Sequence, residues 1–232
     1  MKLKVVTLTT RASHPGLSML KLSLEKFGYD YYVIEQNAGG KNVFGSQMPL
    51  VYDWCKDQSE GYTHILYTDA WDTFFVAPLS EIEEKYNQDL CFFGSSEKVC
   101  WPNDSLAKDF PADSQATEWQ YLNGGSWIAD INYFRWTYER AKPNGMNDQE
   151  WLIRRYLEAR SEERPLALDH TCQIFQPLAF ESPFPPSLPG ADFAFNYLEG
   201  RMTNLKTGTK PIILHGNAQV SMERAYKLLL RC

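Results

Sequence analysis

Several features that would assign this sequence to a common protein class are absent. No apolar run in its 232 residues approaches the length of a membrane-spanning helix, so no membrane span is expected. The five cysteines are scattered without a Cys-x-x-Cys pair, which indicates reduced thiols and argues against a disulfide framework or a zinc site. Acidic residues outnumber basic ones and give a net charge of −6, so no broad nucleic-acid-binding surface is expected. The Gly-x-Gly-x-x-Gly fingerprint is also missing, so a dinucleotide cofactor is not indicated.

The N-terminal stretch lacks the features of a secretory signal peptide. Its first seven residues alternate lysine with apolar and β-branched residues, which is typical of a strand. Together with the dispersed cysteines, this stretch predicts a cytoplasmic location.

Apolar periodicity is present and predicts alternating strands and helices. Residues 4–9 and 31–34 are β-prone runs, separated by a helix over residues 17–27 that Gly28 ends. A strand–helix–strand opening is typical of nucleotide-binding sheets, so we predict an α/β protein with a single domain over residues 1–232. Further helices are predicted over residues 47–57, 80–86, 133–141, 147–160 and 222–230, further strands over 65–67, 90–93, 126–129 and 211–214, and an irregular segment over 95–120.

The predicted strand over residues 65–67 leads directly into an Asp-x-x-Asp pair, Asp69 and Asp72. Ligands of open α/β sheets bind just beyond the carboxyl ends of the strands. Two hard oxygen ligands there can hold Mg²⁺ or Mn²⁺, and such an ion can hold a diphosphate. The alternative is that one aspartate caps the next turn and the other is solvated.

A second apolar strand ends in His215, Gly216 and Asn217. Carboxylate and imidazole ligands together suit Mn²⁺ better than Mg²⁺, so we predict a metal site formed by Asp69, Asp72 and His215. Gly216 would let the backbone approach a phosphate closely. The alternative for His215 is a structural histidine at a strand end.

Eight short blocks follow one another along nearly the whole chain in the order of a known family. They are Val5–Thr7, Asp69–Asp72, Cys100–Pro102, Leu122–Gly125, Asp148–Gln149, Leu168–His170, Ile174–Gln176 and His215–Asn217. With these blocks the chain resembles the glycosyltransferase domain at the N-terminus of the multifunctional procollagen lysyl hydroxylases. Each block is weak alone, whereas the ordered set is specific.

The resemblance implies a GT-A-type fold, a Rossmann-like mixed sheet flanked by helices. It implies UDP-glucose or UDP-galactose as donor, with Mn²⁺ held by Asp69, Asp72 and His215. It also implies retention at the anomeric carbon, and a hydroxylysine or galactosyl-hydroxylysine acceptor in a collagen-like protein or glycan. In that family the aromatic residue between the two aspartates lies near the uridine, and Trp71 matches it here.

Two groups of residues are therefore candidates for the donor and acceptor sides. For the nucleotide we expect contributions from Val6, Thr7, Thr9, Trp71, Asp69 and Gly216. For the acceptor and catalysis we expect contributions from Trp101, Asn123, Asp148 and Asn217. The family carries several aspartates where this chain has only Asp148, which could instead serve as a charge in a first helical turn. Asp169 and His170 are weaker candidates that could form a structural pair.

Two other function classes compete with a metal-dependent glycosyltransferase. A catalytically silent UDP-sugar or glycan binder would carry the same donor site, and only turnover separates it from the enzyme. Phosphatases of the haloacid dehalogenase type also carry two aspartates directly after a strand. That fold needs its second aspartate two residues after the first, whereas Asp72 follows Asp69 by three, so the phosphatase is disfavoured.

Overall fold

The computed structural model describes residues 1–36, 45, 47–111, 117–179, 192–196, 198–218, 220 and 222. The helix predicted over residues 222–230 lies outside these residues apart from its first position. Within the described part, no helix is long and apolar enough to cross a membrane. The helices are α1 (Pro15–Lys26), α2 (Gln47–Asp57), α3 (Leu79–Lys85), α4 (Ile131–Arg140) and α5 (Asp148–Ser161), with a 3-10 helix over Asp104–Asp109. The strands are β1 (Leu3–Thr9), β2 (Tyr31–Glu35), β3 (His64–Asp69), β4 (Thr73–Phe75), β5 (Phe92–Glu97), β6 (Tyr121–Asp130), β7 (Leu166–Leu168), β8 (Phe175–Pro177), β9 (Phe193–Asn196), β10 (Arg201–Asn204) and β11 (Ile213–His215).

Six strands form a mixed central sheet in the order β2-β1-β3-β6-β5-β7. Strand β1 runs parallel to both β2 and β3, whereas β6 is antiparallel to β3 and to β5. Strands β3 and β5 therefore point the same way, and their carboxyl ends lie at one edge of the sheet. The mixed sheet flanked by helices agrees with the predicted architecture.

A smaller sheet continues this edge in the order β4-β11-β8. Strand β4 begins immediately after Asp72 and pairs antiparallel with β11, so that Thr73 lies opposite His215. The backbone N–H of Gly216 donates to the carbonyl oxygen of Asp72 at 2.7 Å. This pairing brings two segments that are far apart in sequence to the same place. Strands β9 and β10 form a separate hairpin.

The burial of the central strand β3 explains why the short apolar run before the aspartates predicts a strand. Ile65, Leu66 and Tyr67 are each fully buried. Alternate residues face opposite sides of a strand, and these three contribute to two hydrophobic clusters, one on each face of the sheet. A continuous apolar run is typical of a strand covered on both faces.

Strands β5 and β6 differ most from the sequence-based prediction. In place of the predicted strand over 90–93, β5 begins at Phe92 and continues through Ser95, Ser96 and Glu97, all buried, with a register shift after Gly94. Its polar second half does not show the apolar pattern that predicts a strand. Strand β6 likewise begins at Tyr121, before the predicted strand over residues 126–129, so Asn123 lies within the strand.

Candidate functional site

A cleft of about 760 Å³ opens at the edge where β3, β5 and β11 end. This volume lies within the range that holds a ligand of nucleotide-sugar size. Its wall combines acidic, amide and aromatic side chains. The lining residues are Leu8, Thr10, His14, Gln47, Asp69, Ala70, Trp71, Asp72, Glu97, Val99, Trp101, Asn123, Gly125, Gln149, His215, Asn217 and Ala218.

The structure brings Asp69, Asp72 and His215 together at one point of this cleft. The Nε2 atom of His215 lies 3.4 Å from Oδ2 of Asp69 and 3.6 Å from Oδ1 of Asp72. One ligand atom from each residue falls within 4.8 Å of the others. Two carboxylate oxygens and an imidazole nitrogen are a donor set that suits a divalent ion such as Mn²⁺.

The electrostatics of this cluster favour positive charge. Burial lowers the pKa of His215, but the charge of Asp72 and the hydrogen bonds that the protonated ring donates to both aspartates outweigh burial and raise that pKa to about 10. Burial raises the pKa of Asp72, and the nearby His215 charge and hydrogen bond more than offset it, so the net shift is downward. A cation bound here would take the place of the histidine proton.

Asn123 fixes the orientation of the His215 ring. Its Oδ1 accepts from the backbone N–H of Gly125 at 3.1 Å and lies 3.2 Å from Nδ1 of His215. Because that oxygen can only accept, His215 carries a proton on Nδ1, and in the neutral ring Nε2 presents its lone pair to the two aspartates.

Gly125 leaves the space that this arrangement needs. A Cβ at this position would lie 2.2 Å from Cε1 of His215 and 2.6 Å from Oδ2 of Asp69. No side chain can be accommodated there without moving the two groups. The residues present therefore fit a divalent metal ion, while the identity of that ion stays a prediction.

Trp71 presents a partly exposed indole beside the cluster, with 39% of its surface accessible. Its Nε1 donates to Oγ1 of Thr9 at 3.0 Å, and the ring of His14 stacks on it with centroids 4.4 Å apart. His14 is itself held in place because its Nδ1 accepts from the backbone N–H of Gly16. His14 was not identified from the sequence, because nothing in its local pattern distinguishes it from an ordinary cap of helix α1.

The predicted nucleotide residues on β1 alternate with residues that line the cleft. Val6, Thr7 and Thr9 are buried and do not line the cleft, whereas Leu8 and Thr10 do. Thr9 contributes indirectly, through its hydrogen bond to Trp71. A direct role for these three residues in nucleotide binding stays a prediction.

Trp101 and Asn217 line the cleft, as does Glu97, which sequence reasoning missed. The Trp101 indole is 49% exposed. Glu97 is buried at the end of β5, and its two carboxylate oxygens accept from Nε2 of Gln149 at 2.5 Å and Nδ2 of Asn217 at 2.9 Å. Burial raises the pKa of Glu97 to about 7 against these amide hydrogen bonds. The sequence signal for Glu97 is an acidic residue shortly before the Cys100–Pro102 block. The structure places this residue at the end of β5, which runs in the same direction as β3.

Asp148 and Gly216 do not reach the cleft. Asp148 is buried, and its carboxylate accepts from the backbone N–H groups of Gly45, Gln47 and Met48 at 2.8–3.2 Å. Burial raises its pKa despite these bonds. At Gly216 a Cβ would lie 2.5 Å from Sδ of Met222, so this glycine serves close packing within the fold.

Asp169 and His170 also lie apart from the residues that line the cleft. Asp169 is buried and accepts from the backbone N–H groups of Gln173, Ile174 and Phe175. The Nδ1 of His170 lies 2.7 Å from the carbonyl oxygen of Trp119. Both side chains order the segment that leads into β8.

Sequence comparison relates the chain to collagen-modifying enzymes. The family described as "PLOD GT domain" matches residues 1–226. The human multifunctional procollagen lysine hydroxylase and glycosyltransferase LH3 is 28% identical over 97% of this chain and 31% of its own length. A Caenorhabditis elegans enzyme of the same description is 27% identical over 93% of this chain and 30% of its own length. The chain thus spans about a third of the length of these relatives.

Two solved glycosyltransferases have a similar fold. A glycosyltransferase involved in glycosylation of the major capsid of PBCV-1 aligns over 100% of both chains, with a TM-score of 0.56 and 9% identity. The galactosyltransferase LgtC, bound to donor and acceptor sugar analogues, covers 98% of this chain and 95% of its own, with a TM-score of 0.53 and 13% identity. These similarities concern the fold alone, and they confirm the predicted GT-A-type architecture.

The comparisons correct one prediction. A cytoplasmic location was predicted from the N-terminal stretch and the dispersed cysteines. The relatives are procollagen lysine hydroxylases and glycosyltransferases, which are secretory enzymes, so that prediction is wrong. The sequence pattern of the first residues was informative about strand β1 and carried no information about the compartment.

Proposed function

The chain belongs to the PLOD GT domain family and is a glycosyltransferase, and on this premise we propose that it transfers a hexose from UDP-glucose or UDP-galactose. We propose Mn²⁺ as the required ion, residues 1–232 as one functional domain, and retention at the anomeric carbon. The proposed acceptor is a hydroxylysine or galactosyl-hydroxylysine residue of a collagen-like protein. The similarity to human LH3, which is a procollagen lysine hydroxylase and glycosyltransferase, supports this acceptor class.

The observation that carries the proposal is the convergence of Asp69, Asp72 and His215 beside Trp71 in a cleft of about 760 Å³. A divalent ion held by these three residues would stabilise the negative charge that builds on the UDP leaving group. Asn123 keeps the His215 ring turned so that Nε2 faces the aspartates. The indole of Trp71 offers a flat apolar surface on which the uracil ring can stack.

The acceptor side is proposed to use residues from other elements around the same cleft. Trp101 and Asn217 line it directly, so both can contact an acceptor. Asn123 lines it too, but its oxygen is engaged by His215 and Gly125, which makes it a positioning residue for the metal site. Asp148 is proposed to act at a distance, by ordering the start of α2 through three backbone hydrogen bonds.

The second candidate function is a silent binder of UDP-sugars, which would use the same cleft without turnover. A screen of UDP-sugars for UDP release, with and without Mn²⁺ and with galactosyl-hydroxylysine as acceptor, separates the two. The proposed function requires metal-dependent UDP release from UDP-glucose or UDP-galactose that the acceptor accelerates. Thermal stabilisation by a UDP-sugar without UDP release would establish the binder instead.

A further inference from the structure

One short stretch of the chain, residues 9–16, contacts Trp71 at three places. The Nε1 of the indole donates to Oγ1 of Thr9 at 3.0 Å, which fixes the edge of the ring. The ring of His14 stacks on its face, with centroids 4.4 Å apart and 18° between the ring planes. A Cβ at Gly16 would lie 1.8 Å from the carbonyl oxygen of Trp71, so the start of α1 packs directly against that backbone. The edge, one face and the backbone of Trp71 are therefore all held by this stretch.

The ring of His14 is itself anchored. His14 is the N-cap of α1, and its Nδ1 accepts from the backbone N–H of Gly16 at 3.1 Å. Pro15, whose side chain fixes its own φ, occupies the first helical position. An Nδ1 that accepts from a backbone donor carries no proton, so the ring is neutral with its proton on Nε2. Turning the ring away from Trp71 would break the bond to Gly16.

The stack determines which part of the indole a ligand can use. Trp71 is 39% exposed, and both rings line the cleft. Aromatic rings attract one another in offset stacks, and one face accommodates one stacked partner. Because His14 covers one face of the indole, a nucleobase that stacks on Trp71 has to use the opposite face.

The capping role of His14 does not account for its ring. An N-cap needs only one side-chain acceptor for a backbone N–H of the first turn, and the smaller side chains of Ser, Asp and Asn supply it best. His14 also lies outside the eight blocks that carry the family resemblance, so the resemblance assigns it no role. What the imidazole adds to a cap is the aromatic face against Trp71.

We propose that His14 is a positioning residue of the donor site, whose ring holds the Trp71 indole so that its opposite face receives the uracil ring. This assignment rests on the proposed use of a UDP-sugar and deepens it, because it names the residue that fixes the stacking surface. An indole that is already held in place loses less rotamer freedom when the base binds, so less of the binding free energy is spent on ordering it.

Two substitutions separate the ring of His14 from its cap. His14→Asn keeps an acceptor for the Gly16 N–H and removes the ring, whereas His14→Phe keeps a ring and removes the acceptor. Calorimetry with UDP in the presence of Mn²⁺ measures the donor site without requiring turnover, and thermal unfolding measures the cap. We expect His14→Asn to bind UDP about three- to tenfold more weakly while unfolding near the parent temperature. We expect His14→Phe to bind UDP within about twofold of the parent while unfolding at a lower temperature.

A double-mutant cycle shows whether His14 acts through Trp71. In the Trp71→Ala background, His14→Asn should cause no further loss of UDP affinity, because the indole that it positions is gone. Asp130→Ala is the control for the loss of a cap, since Asp130 caps α4 and is not among the described residues that line the cleft. It should lower the unfolding temperature and leave UDP affinity at the parent value.

Parent-like UDP affinity in His14→Asn would overturn the proposal and leave His14 as a cap alone. Folded His14→Phe that binds UDP as weakly as His14→Asn would also overturn it. An equal loss with and without Trp71 would indicate direct contact with the nucleotide in place of positioning, and tighter UDP binding by His14→Asn would mean that the ring competes with the base. A parent that binds UDP but releases none from a UDP-sugar would contradict the proposed function alone, whereas a parent that binds no UDP would overturn both.

Discussion

The side chain of Asn123 and the ring of His215 are joined by a hydrogen bond that decides which imidazole nitrogen faces Asp69 and Asp72. The Oδ1 of Asn123 lies 3.2 Å from Nδ1 of His215 and also accepts from the backbone N–H of Gly125. The bond leaves Nε2 as the atom directed at the two carboxylates. Partners of this kind behind a metal-binding histidine raise the affinity of the site for its ion.

Asn123→Ala should therefore weaken Mn²⁺ binding by about 10- to 100-fold, because the ring loses its orienting acceptor. Titration calorimetry with Mn²⁺ measures the change directly. Asn103→Ala, which removes an asparagine that caps the 3-10 helix instead, serves as the control and should bind Mn²⁺ as the parent does. Parent-like Mn²⁺ affinity in Asn123→Ala would show that the hydrogen bond does not support a metal site.

Trp71→Ala should weaken UDP binding by about 1–3 kcal/mol, the usual contribution of a base stacked on an aromatic side chain. The test is UDP affinity in the presence of Mn²⁺. Trp136→Ala is the matched control, because the Trp136 ring packs between Arg140 and Arg164 and is not among the cleft-lining residues. Equal UDP affinity in the two variants would mean that the uracil ring does not stack on Trp71.

Asp148→Asn should keep UDP-sugar binding and lower turnover at saturating acceptor by at least about tenfold, which is roughly 1.4 kcal/mol in the barrier. We expect this loss because the Asp148 carboxylate accepts from three backbone N–H groups at the start of α2, and the amide of the variant has only one oxygen to accept them. Asp53→Asn, on the exposed surface of the same helix, is the control. If Asp148→Asn turned over at the parent rate, the residue would have only a local structural role.

The ion pair between Glu81 and Arg201 should make stability depend on pH in the acid range. The Arg201 guanidinium donates to both oxygens of Glu81, at 2.6 and 3.0 Å, and these bonds lower the pKa of Glu81 below its usual 4.5. A lowered folded-state pKa gives stability that is present above the unfolded-state pKa and is lost as pH falls through the folded-state value. The parent should therefore unfold with a larger free energy than Glu81→Gln at pH 7, and the difference should shrink as the pH falls below the usual pKa of 4.5. Urea unfolding of both proteins tests this, and a difference that does not vary with pH would contradict it.

Much of the fold could be predicted because its central part follows simple patterns. The apolar run of β3 and the amphipathic pattern of α1 placed both elements within a few residues of their observed bounds. The spacing of Asp69 and Asp72 after that run placed them at a strand end. The pairing of β4 with β11, which brings His215 to the same place, is a long-range contact that local patterns do not reveal.

The acceptor side could not be predicted to the same extent, because its residues are polar and buried. The polar sequence from residue 95 onwards predicts an irregular segment, although Ser95, Ser96 and Glu97 are all buried within β5. Asn123 falls outside the predicted strand over residues 126–129, yet it is buried within β6. Buried polar groups are stabilised by partners distant in sequence, and a single sequence does not show those partners.

The most direct test of the account is metal-dependent UDP release by the parent and by Asp72→Asn. The substitution preserves the size of the side chain and removes one of the charges that the ion requires. With UDP-glucose or UDP-galactose, we expect the parent to release UDP only when Mn²⁺ is present. We expect Asp72→Asn to release none above background while unfolding at the parent temperature. UDP release by Asp72→Asn at the parent rate, or release by the parent in excess EDTA, would contradict the central claim.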